Sequence, residues 1–178
     1  MDDKFILLLQ EVKYHPRSYM SKLDARFETP SIVRITRKEE LRKITKAPLF
    51  DEKYLVVFDS IKAFEDNLAS LSFAYMFPVL HLETASQIED AKFLCKEFSI
   101  PYKVYNNKFT REDAIALIQE NASETVSDAV IKVIIRQVGL SPLRIMTAVS
   151  VCEQMGYKVS TVERYIDKWI YPDLRKLI

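Results

Sequence analysis

Apolar residues in the first 107 positions come in two alternating patterns, short continuous runs and helical spacings of three and four. Lys4 to Val12 is a run of the first kind and predicts a buried strand. Pro16 to Phe27 carries helical spacing through Tyr19, Met20, Leu23 and Phe27, and Pro30 stops it. Ser31 to Ile35 is β-branched and reads as a short strand. Thr36 is placed to cap a helix over Arg37 to Lys46, with Glu39 and Glu40 in its first turn. Tyr54 to Phe58 reads as a central strand covered on both faces. Asp59 or Ser60 caps a helix reaching about Ala74, on the spacing of Ile61, Phe64, Leu68 and Leu71. Phe77 to Leu82 is a strand, Ser86 to Phe98 a helix broken at Pro101, and Tyr102 to Tyr105 a last short strand.

Beyond Asn106 and Asn107 the periodicity is helical throughout. Thr110 with Asp113 forms a capping-box pattern for a helix to Asn121. Ser123 to Val138 follows, ending at Gly139. Ser141 and Pro142 open a third helix, which ends at Gly156. Ser160 caps a fourth, which runs to about Ile170. Both glycines fall one step past a helix, where a left-handed residue is wanted. The expected fold is α/β with a largely parallel sheet over residues 1–107, followed by a small helical bundle over 108–178.

Between the helix and the strand of residues 37–58 stands an elbow, Pro48-Leu49-Phe50. Two large apolar side chains at such a junction either plug the core from its edge or fill a partner's pocket. Periodicity alone favours the first. Basic residues are denser from Arg34 to Lys53, but Glu39, Glu40, Asp51 and Glu52 interleave with them, as on a solvated face.

The 178 residues are 48% hydrophobic, enough for a real core, and the net charge is +1. Such a balance gives no global electrostatic case for nucleic-acid binding. Two glycines in the whole chain exclude glycine-rich phosphate loops. Phe5 to Leu9 is too short to span a membrane, and its acidic lead is wrong for a signal peptide. Cys95 and Cys152 read as core residues of a reduced, cytoplasmic chain.

Candidate chemistry is sparse. His15 and His81 have no catalytic partner in the sequence, and neither cysteine has a second ligand at metal spacing. Asp59 ends an apolar strand, where ATPases carry a metal-binding acid. The connection after the first strand, Glu11 to Arg17, holds no glycine to support that role, and helix capping explains Asp59 better. Phe64, Phe73, Phe93 and Phe98 sit at core-facing spacing, which speaks against a base-stacking platform. No catalytic residue, metal or cofactor is expected.

The order of elements around Ala47-Pro48-Leu49-Phe50 and Tyr54-Leu55-Val56-Val57-Phe58, with the later Val126-Ser127-Asp128-Ala129-Val130, Val138-Gly139, Leu143-Arg144 and Val159-Ser160-Thr161-Val162-Glu163, resembles the delta subunit of the bacterial DNA polymerase III clamp loader. The resemblance spans roughly Phe5 to Trp169. It implies an ATPase-like domain without nucleotide binding and a helical lid. It also implies a Leu-Phe pair that enters a hydrophobic pocket of the sliding clamp. Pro48, Leu49 and Phe50 match that element by position. The family's collar has no counterpart, since only Tyr171 to Ile178 follows the lid-like segment. A compact, phage-type relative is implied, not an enzyme, with a sliding clamp or other replisome protein as partner and DNA bound indirectly or weakly. A second reading makes the chain a nucleic-acid-binding replication accessory protein. The helices Ser141 to Gly156 and Ser160 to Ile170 then form a helix-turn-helix-like pair presenting Lys158, Arg164 and Lys168.

Overall fold

A computed structural model describes residues 4–27, 32–38, 40–44 and 53–170, without the side chains of 43 and 165–170. The chain divides into two compact units, Met1–Val12 with Ser18–Lys108, and Lys13–Arg17 with Phe109–Ile178. The first is α/β. Its strands are β1 (Ile6–Glu11), β2 (Ile32–Ile35), β3 (Tyr54–Phe58), β4 (Met76–Leu82) and β5 (Tyr102–Asn107), and its helices are α1 (Tyr19–Arg26), α2 (Ile61–Asn67) and α3 (Ala85–Glu97). All five strands are parallel, in the order β2-β3-β4-β1-β5.

The central strands are apolar on consecutive residues because both of their faces are covered. Ile6, Leu8, Val56, Phe58, Met76, Leu80 and Leu82 pack with Ala63 and Phe64 of α2 and with Ile88, Ala91, Leu94 and Cys95 of α3. Leu7, Leu9, Leu55, Val57 and Val79 face the other way, onto Met20 and Leu23 of α1. Phe58 and Phe64 meet edge to face at 5.3 Å. Ser60, not Asp59, caps α2, its hydroxyl accepting from Ala63 N–H at 3.1 Å.

Several local expectations change: the helix expected from Ser123 starts at Asp128, Ser160 lies inside the helix Val159–Ile170 and does not cap it, and the others fall in the α/β unit. The helix expected from Arg37 to Lys46 is, in its described part, a 3-10 turn over Glu40–Lys43. The Glu40 carboxylate accepts from the N–H groups of Thr36 and Arg37, and buried Asn67 holds Arg37 O and Leu41 N–H. These side-chain bonds replace the helical ladder. The helix expected to reach Ala74 ends at Asn67 and tightens into a 3-10 turn over Leu68–Ser70. Phe93 and Phe98, expected in the core, are 70% and 52% exposed. The inward stripe of α3 is Ile88, Ala91, Leu94 and Cys95, and Phe93 points away from it. Phe98 lies past the helix end, just before Ser99 turns with a φ of 53°, and lines an open apolar groove with Leu68, Leu71, Phe73 and Ile100.

The second unit holds α4 (Arg111–Asn121), α5 (Asp128–Val138), α6 (Pro142–Met155) and α7 (Val159–Ile170). Its core gathers Leu117 and Ile118 of α4, Val130, Ile131, Ile134 and Val138 of α5, Ile145, Val149 and Cys152 of α6, and Val162 of α7. No described helix is long and apolar enough to cross a membrane. Gly139 and Gly156 end α5 and α6 with φ of 71° and 94°. Their ψ values, −165° and 147°, lie outside the left-handed helical well, in a region open essentially to glycine alone. Nothing lies within 4 Å of a Cβ built at either position, so a side chain there meets backbone strain and no clash. Gly139→Ala and Gly156→Ala are each expected to cost about 1–2 kcal/mol, within the range for residues held in sparsely populated backbone regions. In thermal melts the midpoint falls by roughly 2–8 °C, and Ser substitutions lose no more than Ala. An unchanged midpoint in both alanine variants would contradict this assignment of strain.

Candidate functional site

Strand order locates the site. The chain leaves β1 toward β2 on one side and leaves β4 toward β5 on the other, so β1 and β4, adjacent in the sheet, flank a switch point. In open parallel sheets ligands bind at such a point, beyond the C-terminal ends of the strands. Phosphates there are held by the N–H groups that begin the next helix.

Here that position is filled by the chain itself. Glu11, the last residue of β1, is 2% exposed. Its carboxylate accepts from Tyr19 N–H at 2.6 Å and Met20 N–H at 3.4 Å, the first backbone donors of α1. It also accepts from Ser18 Oγ at 2.6 Å and from Asn107 Nδ2, at the end of β5, at 2.8 Å. Ser18 in turn caps α1 by accepting from Ser21 N–H at 3.1 Å. His81 of β4 brings Nε2 to 3.7 Å from Glu11 Oε1, beyond hydrogen-bond reach. Burial pushes the Glu11 carboxyl up, but the Ser18, Asn107 and Tyr19 donors, with His81 nearby, outweigh it and hold it below its ordinary value. A carboxylate so held is a poor proton acceptor and a good fixed anion.

The connection from β1 to α1 carries a second set of anchors, belonging to the helical unit. His15 Nδ1 accepts from Arg17 N–H at 3.1 Å, which fixes the imidazole as acceptor on that side. Its ring meets Phe109 edge to face at 5.5 Å, and its Nε2 lies 3.8 Å from Asp113. Arg17 Nε donates to Asp113 Oδ1 at 2.6 Å. Asp113 also completes the capping box of α4, accepting from Thr110 N–H at 2.8 Å. Burial pushes the Asp113 carboxyl up, yet the Arg17 and Thr110 bonds take it down to about 2. Tyr14, between these anchors, has a φ of 63°, a conformation uncommon for a residue of its size.

Pro48, Leu49 and Phe50 lie outside the described residues. Asp59 is exposed beside the Ser60 cap. Cys95 and Cys152 are free and buried, and burial pushes both thiols up to about 11. They are core residues and weak nucleophiles. No described cluster of His, Cys, Asp or Glu is placed to hold a metal ion. In the helical pair α6–α7, Lys158 is exposed, Glu163 bonds Arg136 at 3.2 Å, and the Lys168 side chain is outside the described set. The Glu11 and Asp113 networks were not legible as sites in the sequence. Their signal was faint: an acid closing an apolar run at Glu11, and an arginine at the end of the loop that follows it.

The network has a pH signature. The folded pKa of Glu11 lies below its ordinary 4.5, so the unfolded chain takes up the proton first as pH falls. Its stabilisation is complete above that value and is lost as pH drops through the folded one. Glu11→Gln, which turns an amide N–H₂ toward donors, is expected to cost about 1–3 kcal/mol at neutral pH. In urea titrations the gap to the parent narrows on acidification through the carboxylate range. A gap independent of pH would refute the role of the charge. Neither a protein-family model nor a curated protein matches this chain.

Proposed function

We propose that the chain is a non-catalytic DNA replication protein of clamp-loader delta type, with an ATPase-like sheet, a helical lid-like unit, and Pro48-Leu49-Phe50 as its contact with a sliding clamp. The observation that carries the non-catalytic part is the Glu11 carboxylate, 2.6 Å from Tyr19 N–H at the start of α1. In nucleotide-binding sheets of this topology a phosphate takes that place. A buried protein carboxylate there repels phosphate and already uses its donors. The anchored connection through His15 and Arg17 supports the same reading, because it lacks the glycines that close backbone approach to phosphate requires. With the switch-point crevice filled, a binding role falls to the surface. The elbow, by its resemblance to the delta family, is the element assigned to it.

Leu49 and Phe50 together supply about 3–6 kcal/mol of transfer free energy when fully desolvated in a pocket. The double variant Leu49→Ala/Phe50→Ala is expected to bind the sliding clamp of the same replication system about a hundredfold more weakly in calorimetry, with an unchanged melting midpoint. Undiminished affinity would overturn the elbow as the contact. A midpoint lowered by several degrees would instead make the pair a core plug.

Nucleotide tests the other half. A ligand at about 100 times its dissociation constant adds about 2.7 kcal/mol of stability. Mg-ATP at millimolar concentration is expected to leave the melting midpoint of the parent protein unmoved. A clear upward shift would refute the blocked-crevice reading, whatever the elbow does.

A further inference from the structure

β5 forms an edge of the sheet and pairs with β1 alone among the described strands. In a parallel ladder each strand turns the N–H and C=O of alternate residues toward a given neighbour. Ile6 N–H donates to Pro101 O at 2.9 Å, and Ile6 stands in register with Tyr102. The ladder to β1 therefore continues through the backbone groups of Lys103 and Tyr105. The N–H and C=O groups of Tyr102, Val104 and Asn106 point out of the sheet.

Natural edges are usually guarded by proline, bulges, short strands or outward charge. β5 has none of the first two, and with six residues it is longer than the four-residue β2 at the opposite edge. Its one charge, Lys103, lies over the Phe5 ring at 4.2 Å from the centroid. Val104 and Tyr105, on opposite faces of the strand, are 43% and 42% exposed. Among the described residues nothing pairs with the outward backbone groups of this edge, and the strand is apolar at its middle.

We infer that β5 pairs antiparallel with β5 of a second copy of this chain, about a two-fold axis at Val104. The outward row is symmetric about that residue. Val104 meets its own copy, and Tyr102 meets Asn106, each pair exchanging both N–H···O bonds. Lys103 then stands opposite Tyr105, so no like charges face each other. The strand contains no acid to break this complementarity, and a net charge of +1 leaves little repulsion between copies. Shifting the axis onto Lys103 would oppose two lysines, which disfavours that register. A contact made chiefly by one strand belongs to the small, reversible class of interfaces.

Sedimentation equilibrium of the full chain is expected to show a monomer–dimer equilibrium. Val104→Pro removes an outward N–H and leaves the β1 ladder intact, the setting in which an edge strand tolerates proline. It is expected to weaken the dimer about tenfold or more. Amide exchange of the parent protein gives a second readout that needs no variant. With rising protein concentration, exchange slows at Tyr102, Val104 and Asn106 and stays constant at Lys103 and Tyr105. A chain that stays monomeric up to the concentrations used for nuclear magnetic resonance would overturn the inference. So would a dimer that a folded Val104→Pro variant leaves unweakened, or protection without this alternation. Protection of the same amides only on adding a foreign extended peptide would assign the edge to another partner and also overturn self-pairing.

Discussion

The hydrogen bonds of one buried carboxylate set the working end of the sheet. Glu11 is 2% exposed at the end of β1, and an unpaired charge there would cost several kcal/mol. Its donors come from three places: the Ser18 cap, the first turn of α1, and Asn107 at the end of β5. Each bond fixes a different relation. Ser18 and Tyr19 set where α1 begins, and so where Met20 and Leu23 meet Leu7, Leu9, Leu55, Val57 and Val79. Asn107 locks the register of β5 against β1, where Glu11 stands opposite it. Removing this one acid would loosen the start of α1 and the end of β5 together.

Both units use the same device at a helix start. α1 and α4 each begin with a hydroxyl cap, Ser18 and Thr110, joined to a buried carboxylate. In α4 the acid is the helix's own Asp113; in α1 it is supplied by the strand before the loop. A helix N-terminus offers unsatisfied N–H groups and a partial positive charge, and something anionic must answer them. In a phosphate-binding protein the ligand does so. In this chain the answer is built in, and this removes the need for glycine. The loop can then carry His15 and Arg17, whose bonds to neighbouring side chains and backbone hold it in place.

Much of the fold was legible because periodicity reports burial directly. Leu55 to Phe58 is apolar without a break because both faces of β3 are covered, and the pattern says so. Ser18, by contrast, does not stand out as the cap of α1, since Pro16 and the spacing of Tyr19 to Phe27 fit a longer helix equally well. The described part of Arg37–Lys46 departs from the helical expectation because Glu40 and Asn67 bond backbone groups that a helix would use, and local propensity does not register a partner that lies far along the chain. Phe93 turns outward because its own helical neighbours, Glu89, Asp90, Lys96 and Glu97, are all charged, and the stripe of Ile88, Ala91, Leu94 and Cys95 takes the inward side. The Glu11 site was hidden for a stricter reason. Its partners are separated by up to 96 residues, and no single one of them is unusual.

A filled crevice has consequences for where binding can occur. An α/β sheet concentrates its ligand-accessible polar groups at the switch point, and in this chain the Glu11 carboxylate there already bonds Ser18, Tyr19 and Asn107, while His81 Nε2 has no hydrogen-bond partner among the described residues. Among the described residues the edge strand β5 is exposed at Val104 and Tyr105. A contact at an element junction depends on a few side chains and the shape of one pocket. A contact at a strand edge depends on backbone groups and a repeat that any extended chain satisfies, so symmetry and charge must supply its specificity. The proposed elbow and the proposed edge therefore make different demands on evolution. The proposed elbow depends on the Pro48 turn and on the Leu49 and Phe50 side chains. The edge tolerates side-chain changes at Val104 and Tyr105 but no proline at an outward N–H and no acid or base that meets its own copy. On this view the protein keeps the sheet for the rigidity of its margins, and the carboxylate at its centre holds those margins in place.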